Sequence, residues 1–488
     1  MAIGTPQIIF GIYLVLFLVL GVIASRYTEH TPDDFYIMGR TVGPILLAMT
    51  LLGSILSAFT FFGIGAVASG TGLGTFSFIS ISLVLYAGIL FPTVGVTLYI
   101  IGSRMDVLTP SEYLRERYDS KHLGVVYLVV CSLFFIPIIG AQLIGGGVAM
   151  DTLLGIPFEW AVLSIGIIMI VYLHLAGYRG IVWSDAIQGT ILGLVLIGVF
   201  VYALATIGGS TLAGDALADT PDLFSTMGPA GLWTPLFVVT YAIAWAFGVP
   251  GAPYSIQRFF SANSPRVVRN SSYLYLLLAT PLMLIASTLG IWATGIVAEP
   301  PNPDYLIPLL VDELTNPIIF GIAMSGGAAA IMSTTDSIAL SLSSMFSRDV
   351  YKEYVDPEMS DQKEVRVTQG FIYLMVGLGM GLAFVQPAGI FDLVSIGYIG
   401  IGTTTAPIFL GSVWDRSTME ASYVSVIGGP LIVSLLYFDV IPGSLTFGMH
   451  YGFIGLLAAY ALFVGVTYAT TVPTDVDVTS YTHRFWAE

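Results

Sequence analysis

Apolar residues run along this chain in blocks of roughly twenty, separated by short polar stretches, from residue 6 to residue 470. About 17 to 25 mainly apolar residues are needed to carry a helix across a bilayer. The pattern predicts spans near 6–24, 42–69, 75–101, 122–150, 159–177, 182–206 and 235–258. Six more are predicted near 271–297, 316–347, 367–386, 389–412, 420–437 and 447–470, about thirteen in all. The expected fold class is therefore an all-α polytopic membrane protein. The first run, Ile8 to Ile23, has no preceding basic residue and no small-residue cleavage motif after it, so it reads as a retained span.

The distribution of charge tests this placement. Cytoplasmic connections concentrate Lys and Arg. Arg26 and Arg40 follow span 1; Arg104, Arg115, Arg117 and Lys121 follow span 3; Arg179 follows span 5; Arg258, Arg266 and Arg269 follow span 7. Arg348, Lys352, Lys363 and Arg366 follow span 9, Arg416 follows span 11, and Arg484 lies in the tail. All 16 basic residues thus fall on one side, which puts the N-terminus outside and the C-terminus in the cytoplasm. The opposite loops carry acids, among them Asp215, Asp219, Asp222, Glu299 and Asp304. Those acids and the scarcity of Lys relative to Arg point toward a high-salt setting.

Composition then narrows the class. The chain of 488 residues is 56% hydrophobic and 10% charged, with a mean hydropathy of +0.88, whereas soluble domains carry about a quarter charged residues. That excludes a soluble protein, and no basic patch for nucleic acid exists. The net charge of −15 belongs to the loops. Cys131 is the single cysteine, so neither a disulfide framework nor a cysteine metal site can form. His174 and the few intramembrane acids have no metal-ligand or nucleophile spacing, so an enzyme is not expected.

Two spans are interrupted at matching positions. Span 2 contains Gly53-Ser54-Ile55-Leu56-Ser57-Ala58, and span 7 contains Gly248-Val249-Pro250-Gly251-Ala252-Pro253, whose prolines lack backbone donors. The pair lies five spans apart, and an odd separation inverts the second unit. Spans 2–6 (42–206) and 7–11 (235–412) accordingly read as two inverted five-helix repeats. Outside them lie the first span and loop (1–41), spans 12–13 (420–470) and a cytoplasmic tail (471–488). Paired broken spans are the best sequence pointer to a transport site, although Gly and Pro also make ordinary kinks in membrane helices.

Span 9 carries Ala330, Ser333, Thr334 and Ser337 on one helical face. Neutral hydroxyls with freed carbonyls suit a hard cation that must load and unload. The same stripe equally suits close helix packing, and spacing alone favours packing. Asp185, near the cytoplasmic end of span 6, and Asp336, within span 9, are functional candidates because a carboxylate in a span is costly. Asp185 is an ion-path candidate or an interfacial residue paired with Arg179 or Arg258.

At these residues the chain resembles the sodium:solute symporter family, whose members carry proline, pantothenate, monocarboxylates and sugars. The resemblance covers nearly the whole chain. It rests on Asp34-Phe35-Tyr36-Ile37-Met38-Gly39-Arg40, Ser57-Ala58-Phe59-Thr60-Phe61-Phe62-Gly63, Val182-Trp183-Ser184-Asp185-Ala186-Ile187-Gln188-Gly189, Pro253 with Gln257-Arg258-Phe259-Phe260, and Ala329-Ala330-Ile331-Met332-Ser333-Thr334-Thr335-Asp336-Ser337. It implies the leucine-transporter-type fold of inverted repeats, in a cell membrane, with sodium carried alongside a small organic solute.

The resemblance also implies a sodium site made of the carbonyls of Gly53, Leu56 and Ala330 with the hydroxyls of Ser333 and Thr334, and an inward ion path through Asp185. Two departures, Ile55 where proline carriers have an acid and Ala252 where many members have Gln, disfavour proline as the solute. Ser57, Thr60, Gln142, Trp245, Tyr254 and Thr403 are expected to line the solute pocket, because they lie on the broken spans or their packing partners. Trp245 and Tyr254 serve equally well as packing aromatics. The half-helix end after Pro253 favours a carboxylate-bearing solute such as a monocarboxylate, an amino acid or pantothenate. The rival readings are a sodium-independent or proton-coupled carrier and a solute-sensing receptor. The tail after Thr470 is expected to be too short for a kinase domain.

Overall fold

A computed structural model describes residues 4–25 and 37–471, and among them the chain is helical, with one isolated parallel bridge between Val42 and Ala262. Arg26, the Asp34-Phe35-Tyr36 part of the first motif, Arg484 and tail residues 472–488 lie outside the described residues.

Helices of eight residues or more are numbered in chain order. α1 is Thr5–Ser25. α2 (Pro44–Ile55) and α3 (Phe59–Thr71) form one span bent by 61°. Next come α4 (Gly74–Met105), the amphipathic α5 (Pro110–Tyr118), α6 (Lys121–Leu154), α7 (Phe158–Thr206) and α8 (Gly209–Asp219). α9 (Pro235–Gly251) and α10 (Pro253–Ser261) make a second bent span, at 52°. The chain continues with α11 (Pro265–Ala293), α12 (Leu306–Leu314), α13 (Pro317–Lys352), α14 (Asp361–Val385), α15 (Ile390–Gly402), α16 (Met419–Tyr437) and α17 (Tyr451–Ala469).

Among the described residues, eight helices are long and apolar enough to cross a membrane, or ten if each bent pair is one span. Three shorter apolar stretches, Thr5–Val19, Phe158–His174 and Ile390–Gly402, fall where the sequence places spans 1, 5 and 11. Spans 5 and 6 differ from expectation in sharing the single helical range of α7. Its 49 residues amount to about 74 Å of helix, more than twice the ~30 Å of hydrocarbon in a bilayer.

The helix starts follow local chemistry. Thr234-Pro235, Ser264-Pro265 and Asn316-Pro317 each pair a side-chain cap with a proline at the first helical position. At α5, Thr109 accepts from the Glu112 N–H at 3.0 Å while Glu112 accepts from the Leu108 N–H at 2.8 Å, a reciprocal cap. α13 is the most enclosed span, packed against α1, α2, α6, α7, α10 and α14. Its Gly326-Gly327-Ala328-Ala329-Ala330 run explains this, since small residues let several helices approach one axis.

Candidate functional site

The two bends arise differently. α2 ends after Ile55, and Leu56 turns extended (φ −75°, ψ 109°) before a π-helical turn over Phe59–Gly63. In the other pair the helix continues through Pro250 to Gly251 and breaks at Ala252 (φ −63°, ψ 130°). Proline forces the residue before it out of the helical region, so Pro253 sets this break while Pro250 is accommodated within α9. Freed backbone groups at membrane depth need partners. The Ala58 N–H donates to Gln142 Oε1 at 3.0 Å, and the Phe59 N–H to Ser57 Oγ at 3.1 Å.

The hydroxyl face of α13 meets the end of α2. Ser333 donates to the Gly53 carbonyl at 2.7 Å and lies 3.1 Å from the carbonyls of Ala329 and Ala330. Thr334 donates to the Ser54 carbonyl at 2.9 Å. Three of the five expected ion ligands, Gly53, Ala330 and Ser333, thus converge on one point, with Thr334 one residue along. Leu56 is buried at the extended break itself. Gly53 also lets α2 approach α7, because a Cβ there would run into the backbone of Asp185, and a Cβ on Gly189 of α7 would in turn crowd the backbone of Gly53.

Asp185 is fully buried and heavily bonded. Its Oδ2 accepts from Ser54 and Ser337 at 2.9 Å, from Thr50 at 3.3 Å and from Arg258 Nη2 at 2.5 Å. Arg258 also donates to Ser337 at 2.5 Å, to Thr50 at 3.2 Å and to the Tyr254 carbonyl at 3.2 Å. This corrects the placement of Arg258 in a cytoplasmic connection: its side chain is 1% exposed, drawn inward by the Asp185 carboxylate. Of the two partners considered for Asp185, Arg258 is paired with it, and the side chain of Arg179 lies outside the described residues. Asp336 is buried on α13, within electrostatic reach of Tyr13 and Asp185, and neither carboxyl oxygen has a hydrogen-bond partner among the described residues. Sequence reasoning named Arg258 as a candidate partner of Asp185 but missed Thr50 and Ser54 as parts of this cluster. Thr50 and Ser54, four residues apart ahead of the span 2 break, share one helical face, and that spacing was the available signal.

The expected solute-lining residues divide. Ser57, Thr60 and Gln142 are buried at the α2–α3 break, with Thr60 Oγ1 and Gln142 Nε2 lacking hydrogen-bond partners among the described residues. Trp245 joins them through Phe59, whose ring stacks on Trp245 at 4.8 Å and on Phe391 at 5.2 Å. Tyr254 points elsewhere: its hydroxyl meets that of Tyr398 at 2.8 Å and its ring lies beside Arg258. Thr403 is a correction. Its hydroxyl donates to the Gly400 carbonyl at 2.6 Å, and its side chain packs against Gly429 of α16 and Gly455 of α17, away from the break.

The two ends of the site differ. A cavity of about 430 Å³ lies beyond Phe391, lined by Ala66, Ile144, Asn302, Asp304, Gln386 and Asp392 among others. At the other end Arg40 donates to the carbonyls of Phe260, Gly102 and Val107 at 3.1 Å each. Beside it, Val42 donates to the Ser261 carbonyl and accepts from the Asn263 N–H, both at 3.1 Å. Further along, Arg115 sits among Glu112, Asp349 and Glu353.

Known proteins resemble the chain along its whole length. The sequence profile of the sodium:solute symporter family matches residues 35–429. A sodium/pantothenate symporter of Haemophilus influenzae is 26% identical over 466 residues, 91% of this chain and 94% of the relative. A sodium/proline symporter of Escherichia coli is 25% identical, covering 94% of this chain and 93% of the relative. Among solved structures, a substrate-bound, outward-open Na⁺-coupled sialic acid symporter superposes with a TM-score of 0.81 at 20% identity, over 97% of this chain and 99% of that one.

Proposed function

The chain belongs to the sodium:solute symporter family, and from that premise we propose that it carries a small carboxylate-bearing solute into the cell with sodium by alternating access. It is a multi-pass membrane transporter rather than an enzyme, and sodium is its co-transported ion. The observation that carries the proposed ion site is the contact of the Ser333 and Thr334 hydroxyls with the Gly53 and Ser54 carbonyls, 2.7 and 2.9 Å apart. An entering sodium turns those hydroxyls so that their lone pairs, with the Gly53, Leu56 and Ala330 carbonyls, face the ion. That ties α2 to α13 and orders the adjoining break, where the solute binds.

For the solute, the Thr60 hydroxyl and Gln142 Nε2, without partners among the described residues, beside the Phe59–Trp245–Phe391 stack support a carboxylate on a small, partly apolar body. The named relatives for pantothenate and proline carry solutes of this kind. Asp185 stands on the inward ion path. The proposed topology has an outer N-terminus, a cytoplasmic C-terminus, and thirteen spans with two inverted repeats at 42–206 and 235–412; it requires the three shorter apolar stretches to cross as well. For a zwitterionic solute carried one-to-one with sodium, a 100 mV potential supplies about 2.3 kcal/mol and a tenfold sodium gradient about 1.4 kcal/mol, enough for several-hundred-fold accumulation; a monoanionic solute makes the same cycle electroneutral, and the sodium gradient alone then supports about tenfold accumulation.

The test is uptake into proteoliposomes of radiolabelled monocarboxylates, amino acids, pantothenate and sugars, with and without an inward sodium gradient. Uphill, sodium-dependent uptake of a carboxylate that is lost in Ser333→Ala/Thr334→Ala supports the proposal. Sodium-independent uptake unaffected by the double substitution overturns it in favour of an uncoupled or proton-coupled carrier.

A further inference from the structure

Two guanidinium N–H groups are stranded at one corner of the molecule. Among the described residues, the buried nitrogens of basic side chains that lack a hydrogen-bond partner are Arg117 Nη1 and Arg416 Nε, and both lie beside Trp414. Arg117, on α5, is 1% exposed. Its Nε donates to the Gly411 carbonyl at 2.9 Å and its Nη2 to the Trp414 carbonyl at 3.0 Å, which leaves Nη1 over. Arg416 follows Trp414 by two residues and is half-buried. Its guanidinium lies 4.9 Å from the centre of the Tyr468 ring, and that ring packs against Trp414 at 5.7 Å.

The charge here is uncompensated. Arg115, Lys121 and Arg348, at the same end of the protein, are ion-paired with Glu116, Glu353 and Glu112. Arg117 and Arg416 are held instead by backbone carbonyls and the rings of Tyr118 and Tyr468, and among the described residues no carboxylate pairs with either. Two such groups around one tryptophan make a local positive field, and a buried charged donor left without an acceptor is costly. The missing partner is an anion with more than one oxygen, because a guanidinium fork matches paired oxygens.

Position selects the anion. The corner sits where spans end: α16 starts at Met419 and α17 stops at Ala469. Trp and Tyr gather where bilayer meets water, and basic pockets between spans take up anionic lipid headgroups. Val413 and Tyr468, 47 and 64% exposed beside the two arginines, offer apolar surface that an acyl chain covers and a dissolved phosphate does not. We infer that Arg117 and Arg416 form a binding site for the phosphodiester of an anionic membrane lipid. Arg117 is the fixed wall, anchored on Gly411 and Trp414. Arg416, whose guanidinium rests on one ring, is the arm that swings to admit the headgroup and closes on it. The bound lipid then reinforces the junction of α5 with the segment ahead of α16, where Tyr118 already donates to the Pro407 carbonyl at 2.7 Å. None of this depends on the sodium-coupled reading.

The experiment is thermal melting and native mass spectrometry of the purified full-length protein in mild detergent and potassium buffer, titrated with dioleoylphosphatidylglycerol, dioleoylphosphatidylcholine or inorganic phosphate. Phosphatidylglycerol should raise the melting temperature and remain bound as one lipid per chain, while phosphatidylcholine and inorganic phosphate should give a smaller shift or none. Arg416→Gln should need roughly tenfold more phosphatidylglycerol for the same shift. Arg366→Gln, which removes an exposed arginine elsewhere, should respond as the wild type does. The Arg416 guanidinium makes no hydrogen bond among the described residues, so its removal does not of itself unfold the chain. Should Arg416→Gln nevertheless fail to fold, Arg416→Lys decides, because its ammonium keeps the charge but lacks the fork and should bind the lipid more weakly than the wild type. An equal phosphatidylglycerol response in the wild type and the folded Arg416 variant overturns the inference. Stabilisation by inorganic phosphate equal to that by the lipid also overturns it, in favour of a site for free anions.

Discussion

Ser333 on α13 donates to the carbonyl of Gly53 on α2 across 2.7 Å, joining positions 280 residues apart in the chain. The contact lies where two helices with different roles meet, one broken and one continuous. In the proposed ion site, a bound cation would replace this hydrogen bond and the neighbouring Thr334–Ser54 one with a multidentate tie.

Substitution of Ser333 or Thr334 by alanine should weaken sodium activation of uptake by tenfold or more, about 1.4 kcal/mol per lost ligand. The double substitution should abolish coupling. Uptake measured against sodium concentration checks this, and an unchanged half-saturation value counts against the site.

Gly53→Ala places a methyl group against the backbone of Asp185. Neither partner can retreat, because both are main chain in packed helices. Overpacking of this kind costs roughly 1–3 kcal/mol. The variant should express poorly and melt at lower temperature in detergent, with Gly189→Ala behaving alike, and a neutral Gly53→Ala would show that α2 and α7 separate easily.

Gln142 offers a test that separates folding from transport. Gln142→Met leaves the Ala58 N–H without its acceptor, at a cost of about 1–3 kcal/mol, visible as a lowered melting temperature. Gln142→Glu keeps an acceptor but sets a negative charge beside the proposed carboxylate solute. It should melt close to the wild type while raising the KM for uptake by tenfold or more; an unchanged KM argues against a carboxylate at this break.

Asp304, in the loop before α12, caps α15 by accepting from the Ile390 N–H at 3.2 Å. Burial, reinforced by the nearby Asp392 carboxylate, pushes its pKa up to about 6, with the Ile390 hydrogen bond opposing the shift. Because the folded value lies above the ordinary one, the stabilisation linked to this group is complete below about pH 4 and is lost as pH rises through about 6. The wild type should therefore lose some thermal stability as pH rises from about 5 to about 7, and Asp304→Asn should lose less. Equal slopes in the two proteins would remove Asp304 from the account.

Much of this arrangement was legible in the sequence, because hydrophobic runs and prolines act locally. Pro253 announces its break through the residue before it, and the Ala330–Ser333–Thr334–Ser337 face follows from helical spacing alone. Arg258 was named as a partner for Asp185, but its burial was missed because counting basic residues by chain position carries no information about depth. An arginine after a break can turn inward when a buried carboxylate waits for it. Pro250 shows the converse, a proline kept within a helix. The offset that brings Thr334 to Ser54 depends on how α2 docks against α13, which no local pattern encodes. The orientation of Thr403 likewise depends on Gly429 and Gly455, contributed by two later helices.

Val42, standing just before α2, is pinned by two backbone hydrogen bonds to the stretch just after α10, donating to Ser261 and accepting from Asn263. Any movement that parts α10 from the segment ahead of α2 must unfasten both bonds together. The Val42 and Asn263 amides would then meet solvent only during that excursion. Their deuterium uptake is therefore a stopwatch for the opening of this end of the protein. It can be read in the resting protein without knowing the cargo, and its pace with and without sodium reports how firmly the ion keeps that door shut.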